Sequence, residues 1–359
     1  MQHGGEWEKN NIDYDFSINI NPLGMPGCVK DIFSSAEILT ESYPDRECRE
    51  IKKRTSKKYE MPEEYIFCGN GASECISLLC AALKPERAII PVPAFYGYER
   101  ALVPYCPEIL YYGLKREDGF RFTGEFINYL KDIKKAALFL CNPGNPTGIS
   151  MPEEILKETS DICKKNDIRL IMDECFVGFL ESSEDKSLKE LIKKEKHIVV
   201  IDAFTKLFAI PGLRMGFLFT SDMALMERIN LLKPEWSVSS IAQAAALAVT
   251  DVSNESCIRD YLNKTGELIL KEREYLKNQL EELNFTVYPG EADFLMFKAK
   301  GFSMLQDKLA EKHILIRDCS NFKGLEKGDY RIAIKQHEDN EILINNIKLL
   351  RSFGLKSSG

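Results

Sequence analysis

The sequence lacks the features by which membrane, secreted and nucleic-acid-binding proteins are recognised. No apolar run approaches the roughly 18 residues that span a bilayer, and the start, MQHGGEWEKN, lacks the basic and then apolar order of a secretion signal. The net charge is -7 and no basic tract occurs, which argues against nucleic-acid binding. We therefore expect a cytoplasmic protein with neither a membrane nor a nucleic-acid partner.

The sequence is also poor in histidine and has no paired-cysteine motif. Its four histidines are widely spaced: His3, His197, His313 and His337. Its eleven cysteines include no CxxC pair, and some, such as Cys80 and Cys141, lie inside apolar runs. Since a transition-metal site needs clustered ligands of these types, we predict no metal site. We expect the cysteines to be mostly buried, reduced thiols.

The middle of the chain alternates short apolar runs with helical patterns. At about 150 residues per domain, the 359 residues suggest about two domains. The runs that we interpret as buried strands are 87–92, 135–142, 168–174, 197–204 and 216–221. They are apolar almost throughout, as is typical of strands covered on both faces of a parallel sheet. The alternation predicts an α/β fold whose mostly parallel sheet lies between helices.

The pattern changes after about residue 235. A long helical stretch at roughly 239–283 precedes short strand-like runs and a further helix, which is an α+β pattern. We predict a large domain at 40–238. The N-terminal arm at 1–39 and the segment 239–359 are predicted to form a smaller domain.

One lysine has surroundings that favour a nucleophilic amine. Lys206 follows the predicted strand 197–204 and lies among Phe204, Leu207 and Phe208, with Arg214 eight residues on. Apolar surroundings lower the pKa of a lysine and favour a nucleophilic amine, which can form a Schiff base with a carbonyl group. A surface pair of Lys206 and Arg214 is the alternative.

Polar residues follow two other predicted strands. Asp173 closes the run 168–174, and Asn145 lies in the turn NPGNPTG after the run 135–142. The carboxyl ends of parallel strands form the ligand-binding edge of an open α/β sheet. For Asp173 a helix cap or a magnesium ligand stays open, and for Asn145 a plain turn.

A fourth segment has the composition of a phosphate site. Gly69, Gly71, Ala72 and Ser73 precede the apolar helix ECISLLCAAL, and free amides at a helix N-terminus bind phosphate. Glu74 stands where a dinucleotide-binding fingerprint needs a third glycine, and no Walker motif occurs.

These four motifs, in this order, resemble the fold-type I pyridoxal phosphate enzymes, the aspartate aminotransferase superfamily, over essentially the whole chain. The resemblance implies that Lys206 binds pyridoxal 5'-phosphate covalently and that Asp173 pairs with its pyridinium nitrogen. It also implies that Asn145 bonds O3′ and that Phe95 stacks on the ring. The residues implied to hold the phosphate are Ala72, Ser73, Thr205, Arg214 and, from the second subunit of a homodimer, Tyr43.

Other segments narrow the resemblance. HGG at the start, DFSININPLGMP (15–26) and Phe176 in place of the usual tyrosine are similar to the threonine-phosphate decarboxylase family of cobalamin biosynthesis, a relative of histidinol-phosphate aminotransferases. The resemblance implies decarboxylation of O-phospho-L-threonine. The residues implied to contact the substrate are His3, Gly4, Asn19, Asn145, Arg317 and Arg331. A disordered terminus stays open for His3, and a surface charge for Arg317. Open alternatives for the function are a histidinol-phosphate aminotransferase, a phosphoserine decarboxylase and a non-catalytic regulator.

Overall fold

The computed structural model describes residues 11–181, 186–302 and 304–354, and these residues form strands in two principal sheets. The strands, in chain order, are β1 (Tyr14–Asp15), β2 (Ile66–Asn70), β3 (Arg87–Val92), β4 (Glu108–Gly113), β5 (Ala137–Cys141), β6 (Arg169–Asp173), β7 (Ile198–Ala203), β8 (Met215–Phe219), β9 (Thr286–Val287), β10 (Phe294–Lys298), β11 (Ile314–Leu315), β12 (Arg317–Asp318) and β13 (Asp329–Ala333).

The helices cover both faces of the larger sheet and one side of the smaller sheet. In chain order they are α1 (Gly27–Lys30), α2 (Ala36–Thr40), α3 (Arg49–Tyr59), α4 (Gly71–Leu83), α5 (Gly97–Leu102), α6 (Gly124–Lys131), α7 (Glu153–Lys165), α8 (Lys189–Ile192), α9 (Phe204–Leu207), α10 (Met223–Leu232), α11 (Ser240–Thr250), α12 (Glu255–Glu282), α13 (Leu305–Ala310) and α14 (His337–Gly354). Within the described ranges, none of them combines the length and apolar composition needed to cross a membrane.

The larger sheet has seven strands in the order β2-β8-β7-β6-β5-β3-β4. The five strands from β7 to β4 are mutually parallel, whereas β8 runs antiparallel to both β7 and β2. The direction of β8 follows from its short connection, because residues 204–214 form only α9 and a turn. A parallel neighbour needs a crossover of about a dozen residues or more. The predicted mostly parallel sheet is confirmed.

All five predicted strands are present, with bounds that shift by at most two residues. Their apolar residues alternate between two cores, so that Leu138 packs with α3, α6, α7 and α11 on one face, and Phe139 with α4, α5 and α10 on the other. The sequence analysis missed β2 and β4, which are the two edges of the sheet. Half-exposed Tyr112 and exposed Tyr111 interrupt the apolar signal in β4.

The second sheet is antiparallel, in the order β12-β13-β10-β9, and packs against α12, α13 and α14. Leu276, Phe297 and Ile344 lie in its core. The predicted helical stretch 239–283 is two helices, because the backbone of Asp251 is extended and its side chain accepts a hydrogen bond from the amide of Ser253. The domain boundary after residue 238 stays a prediction.

The N-terminal segment joins the second sheet to the cavity described below. β1 pairs with β11 in parallel, and the carbonyl of Phe16 accepts a hydrogen bond from the amide of Ala333 at 2.8 Å. The chain then continues through Ser17 and Asn19, both buried, to Asn21, whose amide group donates to the carbonyl of Leu207. Residues 14–21 therefore connect the end of β13 to α9.

Candidate active site

A cavity of about 240 Å³ lies at the carboxyl ends of the central strands, where open α/β sheets bind ligands. Its walls come from the turns after β2, β3, β5, β6 and β7, from the N-terminal segment, and from β12 and β13. The lining residues predicted from the sequence are Asn19, Ala72, Ser73, Phe95, Asn145, Asp173, Thr205, Lys206, Arg214, Arg317 and Arg331. Residues far apart in the sequence thus meet in one place.

Asp173 lies at the end of β6 with its carboxylate fixed from two sides. The hydroxyl of Tyr98 donates to Oδ2 at 2.6 Å, and the amide of Cys175 donates to Oδ1 at 3.0 Å. Burial raises the pKa of Asp173, while these two hydrogen bonds oppose the increase. The site therefore holds a carboxylate that a cation in the cavity would stabilise.

Lys206 lies in the single turn of α9, directly after β7. Burial lowers the pKa of its amine from the ordinary value. The largest charge interaction of Lys206 is with Asp293, which favours the protonated amine, whereas Arg331 and Arg214 disfavour it. A lysine amine with a lowered pKa is a competent nucleophile toward a carbonyl carbon.

The N-terminus of α4 forms a small cradle with Arg214. Asn70 precedes the helix, and its side chain makes no capping hydrogen bond to the first amides of α4. Gly71 has a φ of +74°, and a Cβ on it would lie 2.2 Å from Nη2 of Arg214. Only glycine lets the guanidinium approach the helix end this closely. Amides and a guanidinium together suit a phosphate group.

The hydroxyl-bearing residues predicted for this cradle are Ser73 and Thr205. Thr205 is buried in α9 and Ser73 is exposed in the first turn of α4, and both line the cavity together with Ala72. Phe95 lines the same wall, with its ring edge-on to Tyr98 at a centroid distance of 5.6 Å.

Asn145 and Arg331 form one unit across the two sheets. Nη1 of Arg331 donates to Oδ1 of Asn145 at 2.6 Å, and Nη2 donates to the carbonyl of Ser17 at 2.8 Å. Because Oδ1 of Asn145 is an acceptor here, the Nδ2 end of the amide is the one that can donate to a ligand. Burial lowers the pKa of Arg331 to about 10.

Arg317 lies beside Arg331, since the two residues are direct partners in the β12–β13 pair. Its guanidinium donates to Oδ1 of Asn321 at 2.9 Å and lies over the ring of Phe322 at 5.1 Å. Asn19 is also in the cavity, and its Oδ1 is buried with no hydrogen-bond partner among the residues that the structure describes. Two cations and an unpaired amide oxygen therefore face the same space.

Among the described residues, one predicted site residue, Tyr43, does not line this cavity. Tyr43 is 80% exposed and stacks on Trp236 with ring centroids 4.6 Å apart. His3 and Gly4 lie outside the residues that the structure describes.

The sequence analysis did not identify Tyr98, Ser17 or Asp293. The sequence could have indicated Tyr98, because it lies three residues after Phe95 in the same aromatic segment. Asp293 directly precedes the apolar strand β10, where a buried carboxylate is unexpected.

Comparisons with known proteins agree with this geometry. The family model described as aminotransferase class I and II matches residues 13–347. Threonine-phosphate decarboxylase of Salmonella typhimurium is 36% identical over 333 residues, which cover 92% of this chain and 89% of that protein. Adenosylcobalamin biosynthesis bifunctional protein CobDQ of Leptospira interrogans is 34% identical and matches 92% of this chain, although this is only 38% of that protein.

A solved structure shows the same fold. The histidinol-phosphate aminotransferase from Clostridium acetobutylicum superposes with a TM-score of 0.84 at 27% identity, covering 94% of this chain and 99% of that chain. The resemblance found in the sequence is therefore confirmed at the level of the family and the fold. The chain belongs to the aminotransferase class I and II family.

Proposed function

We propose that the protein is a pyridoxal phosphate-dependent decarboxylase that converts O-phospho-L-threonine into (R)-1-amino-2-propanol O-phosphate and CO₂, which supplies the aminopropanol linker of cobalamin. The observation that carries this proposal is the pair of buried arginines, Arg317 and Arg331, in the cavity that contains Lys206. A substrate with both a carboxylate and a phosphate offers two anionic groups to that pair. The 36% identity to a threonine-phosphate decarboxylase supports the same substrate class.

The residues present fit the cofactor. Lys206 would bind its aldehyde carbon, Asp173 would pair with the pyridinium nitrogen, and Nδ2 of Asn145 would donate to O3′. The cradle formed by α4, Thr205 and Arg214 would hold its phosphate, with Phe95 against the ring. When bound, pyridoxal phosphate accepts the electron pair left on Cα when a bond to that carbon breaks.

Asp173 has a defined task in this arrangement. Tyr98 and the amide of Cys175 fix both of its oxygens, so its orientation does not depend on the ligand. An anionic Asp173 keeps the partner nitrogen protonated, which strengthens electron withdrawal from Cα. Burial makes the pairing strong, because an unpaired carboxylate there is disfavoured.

The two arginines would bind the substrate, and Lys206 would transfer the proton. Arg317 and Arg331 would hold the anionic ends of the substrate and so fix which bond at Cα stands ready to break. The bond between Cα and the carboxylate carbon breaks, and the carboxylate leaves as CO₂. Nζ of Lys206 then delivers one proton to Cα, which yields the amine.

His3, Gly4 and Asn19 complete the proposed substrate site as contacts to the phosphate. Oδ1 of buried Asn19 has no hydrogen-bond partner in the described part of the chain, which supports this assignment, since a buried acceptor without a partner is costly unless a ligand or water satisfies it. Removing residues 1–5 should therefore lower activity on phosphothreonine while cofactor binding stays near normal. Unchanged decarboxylation by the shortened protein would exclude His3 and Gly4.

We also propose a homodimer in which Tyr43 reaches the cofactor phosphate of the partner subunit. Tyr43 and Leu231 are each 80% exposed, and Ile38 and Trp236 are exposed as well. Large apolar side chains exposed in this number are typical of an interface.

The decisive experiment is to incubate the purified protein with phosphothreonine and follow CO₂ and the amine, with and without 2-oxoglutarate. CO₂ release that needs no 2-oxoglutarate supports the decarboxylase. Phosphoserine in parallel tests the alternative substrate, and L-threonine tests the phosphate. We expect L-threonine to lose kcat as well as affinity, because the phosphate orients the reacting bond.

A histidinol-phosphate aminotransferase is the second candidate. Such an enzyme shares this fold, with a TM-score of 0.84, and its reaction would use Lys206 to move a proton between two carbons. Conversion of histidinol phosphate that depends on 2-oxoglutarate and outruns CO₂ release from phosphothreonine would establish this candidate instead.

A further inference from the structure

The residues that follow β12 hold the guanidinium of Arg317 in the cavity. Nη2 of Arg317 donates to Oδ1 of Asn321 at 2.9 Å, and the guanidinium lies over the ring of Phe322 at 5.1 Å. Both partners belong to residues 319–325, which we call the 319–325 loop. Phe322 is buried and lines the cavity, whereas Asn321 is exposed. The direction of the guanidinium therefore depends on where this loop lies.

The backbone of the 319–325 loop is bonded within itself and to the second sheet. The amide of Phe322 donates to the carbonyl of Cys319 at 3.0 Å, and the amide of Leu325 donates to the carbonyl of Phe322 at 3.0 Å. The amide of Cys319 donates to the carbonyl of Asp329, the first residue of β13, at 2.8 Å. These bonds give the loop its shape and fix it to the second sheet, but they do not place it relative to the first sheet.

Lys323 connects the 319–325 loop to the first sheet. Its Nζ donates to both carboxylate oxygens of Glu99 in α5, at 2.8 and 2.9 Å, and lies over the ring of Tyr111 in β4 at 4.4 Å. A single exposed ion pair leaves a lysine several conformations of similar energy. Contact with two oxygens and with an aromatic face at the same time gives Lys323 one defined position.

The helix that receives Lys323 also orients the opposite wall of the cavity. Glu99 directly follows Tyr98, whose hydroxyl donates to Asp173 at 2.6 Å. The ion pair of Lys323 and Glu99 therefore relates the position of Arg317, in the second sheet, to that of Asp173, in the first. Lys323 does not itself line the cavity, so any effect on a ligand must pass through the residues of its loop.

We propose that Lys323 is a positioning residue of this site, which through its ion pair with Glu99 fixes the 319–325 loop and so directs the guanidinium of Arg317 toward the substrate. The proposal rests on the proposed function for the anion that Arg317 binds. The alternative is an ion pair that contributes to stability alone. In that case its removal would lower the melting temperature without changing how Arg317 behaves.

The kinetic test is Lys323→Met, which removes the charge and keeps most of the length of the side chain. We expect kcat/KM for phosphothreonine to fall about three- to fivefold, the scale on which one exposed ion pair changes an equilibrium. The same change in an Arg317→Lys background should alter kcat/KM by less than about twofold, because no planar guanidinium is left to direct. Equal factors in the two backgrounds would overturn the proposal.

A second measurement uses no substrate. Phenylglyoxal reacts with guanidinium groups, and peptide mass spectrometry of the cofactor-loaded protein gives the rate at which Arg317 is modified. We expect this rate to rise in Lys323→Met, since a displaced loop no longer holds the guanidinium against Asn321 and Phe322. Arg49, which is 80% exposed, should react at the same rate in both proteins and serves as the internal reference. An unchanged rate at Arg317 would overturn the proposal.

Three further variants separate positioning from a general effect of charge. Glu99→Gln should reproduce both effects of Lys323→Met, and Lys323→Arg should retain wild-type values because arginine keeps the ion pair and the aromatic contact. Lys308→Met is the matched control, since Lys308 pairs with Glu311 at 2.9 Å and is 51% exposed, compared with 47% for Lys323. A Lys308→Met variant with the same effects as Lys323→Met would contradict the proposal.

The outcomes distinguish this proposal from the proposed function. If the protein released no CO₂ from phosphothreonine but Lys323→Met still raised the modification rate of Arg317, the function would be wrong and the positioning role would stand. If CO₂ were released and the modification rate of Arg317 did not change, the function would stand and the positioning role would be wrong.

Discussion

Arg317 and Arg331 lie directly opposite each other in the β12–β13 pair, with their guanidinium groups in one cavity. Like charges at directly opposed positions destabilise a sheet. Both residues are also almost fully buried, at 6% and 7% exposed. Two buried cations side by side favour an anion between them, and this is the part of the cavity where we propose that the anionic ends of the substrate bind.

Arg317→Lys should lower kcat/KM for phosphothreonine by about tenfold or more, since a hydrogen bond to a charged group contributes about 1.5–3 kcal/mol. Lysine keeps the charge but loses the planar fork. Steady-state kinetics measure this effect. Arg351→Lys on α14, which does not line the cavity, is the matched control. Equal kinetics for Arg317→Lys and wild type would remove Arg317 from the substrate site.

Lys206→Ala should abolish turnover and leave the fold intact, because the change removes a reactive amine and little core volume. Circular dichroism and thermal melting check the fold, and CO₂ release checks activity. Lys57→Ala, on the exposed surface of α3, should behave as wild type. Activity above about a thousandth of wild type would be incompatible with the proton-transfer role of Lys206.

Tyr98→Phe should weaken cofactor binding by about 1 kcal/mol, because it removes one hydrogen bond from Asp173 and leaves the carboxylate less well oriented. Asp173→Asn should have a much larger effect, since it removes the charge itself. Equilibrium dialysis of pyridoxal phosphate measures both variants. If Tyr98→Phe retained the cofactor as well as wild type, the hydroxyl of Tyr98 would have no part in holding Asp173.

Tyr43→Phe should weaken cofactor retention by about 1 kcal/mol, the scale of one hydrogen bond, although Tyr43 is not one of the residues that line the cavity. Light scattering should show a dimer for both wild type and variant. Tyr105→Phe provides a control, because Tyr105 is another exposed tyrosine. A fully active monomer would contradict the shared site.

Asp293→Asn should raise the free energy of unfolding at pH 8 and leave it unchanged near pH 3. The pKa of Asp293 rises from 3.8 to about 7 on folding, so the folded protein holds a proton that the unfolded chain releases. Stability due to this proton is complete below pH 3.8 and is lost as pH rises toward 7, and asparagine avoids the loss. Urea denaturation at both pH values measures the difference, and a variant less stable than wild type at pH 8 would contradict this linkage.

The sequence by itself determined the five central strands and the residues at their ends. Buried strands of a parallel sheet are apolar almost throughout, so the pattern locates them, and their carboxyl ends place Asn145, Asp173 and Lys206 at one edge. It also located the glycine-rich start of α4, because the positive φ of Gly71 is a local property of the backbone that favours glycine.

Only the tertiary structure decided what surrounds these residues. Tyr98 reaches Asp173 across 75 positions of sequence, and Ser17 meets Arg331 across 314. The strand β8 is antiparallel because of its short connection, and the apolar pattern of the edge strand β4 is interrupted by Tyr111 and Tyr112. Asp293 shows the limit most clearly. Its residue type is visible in the sequence, but its complete burial arises only when the turn before β10 packs beside the end of β13.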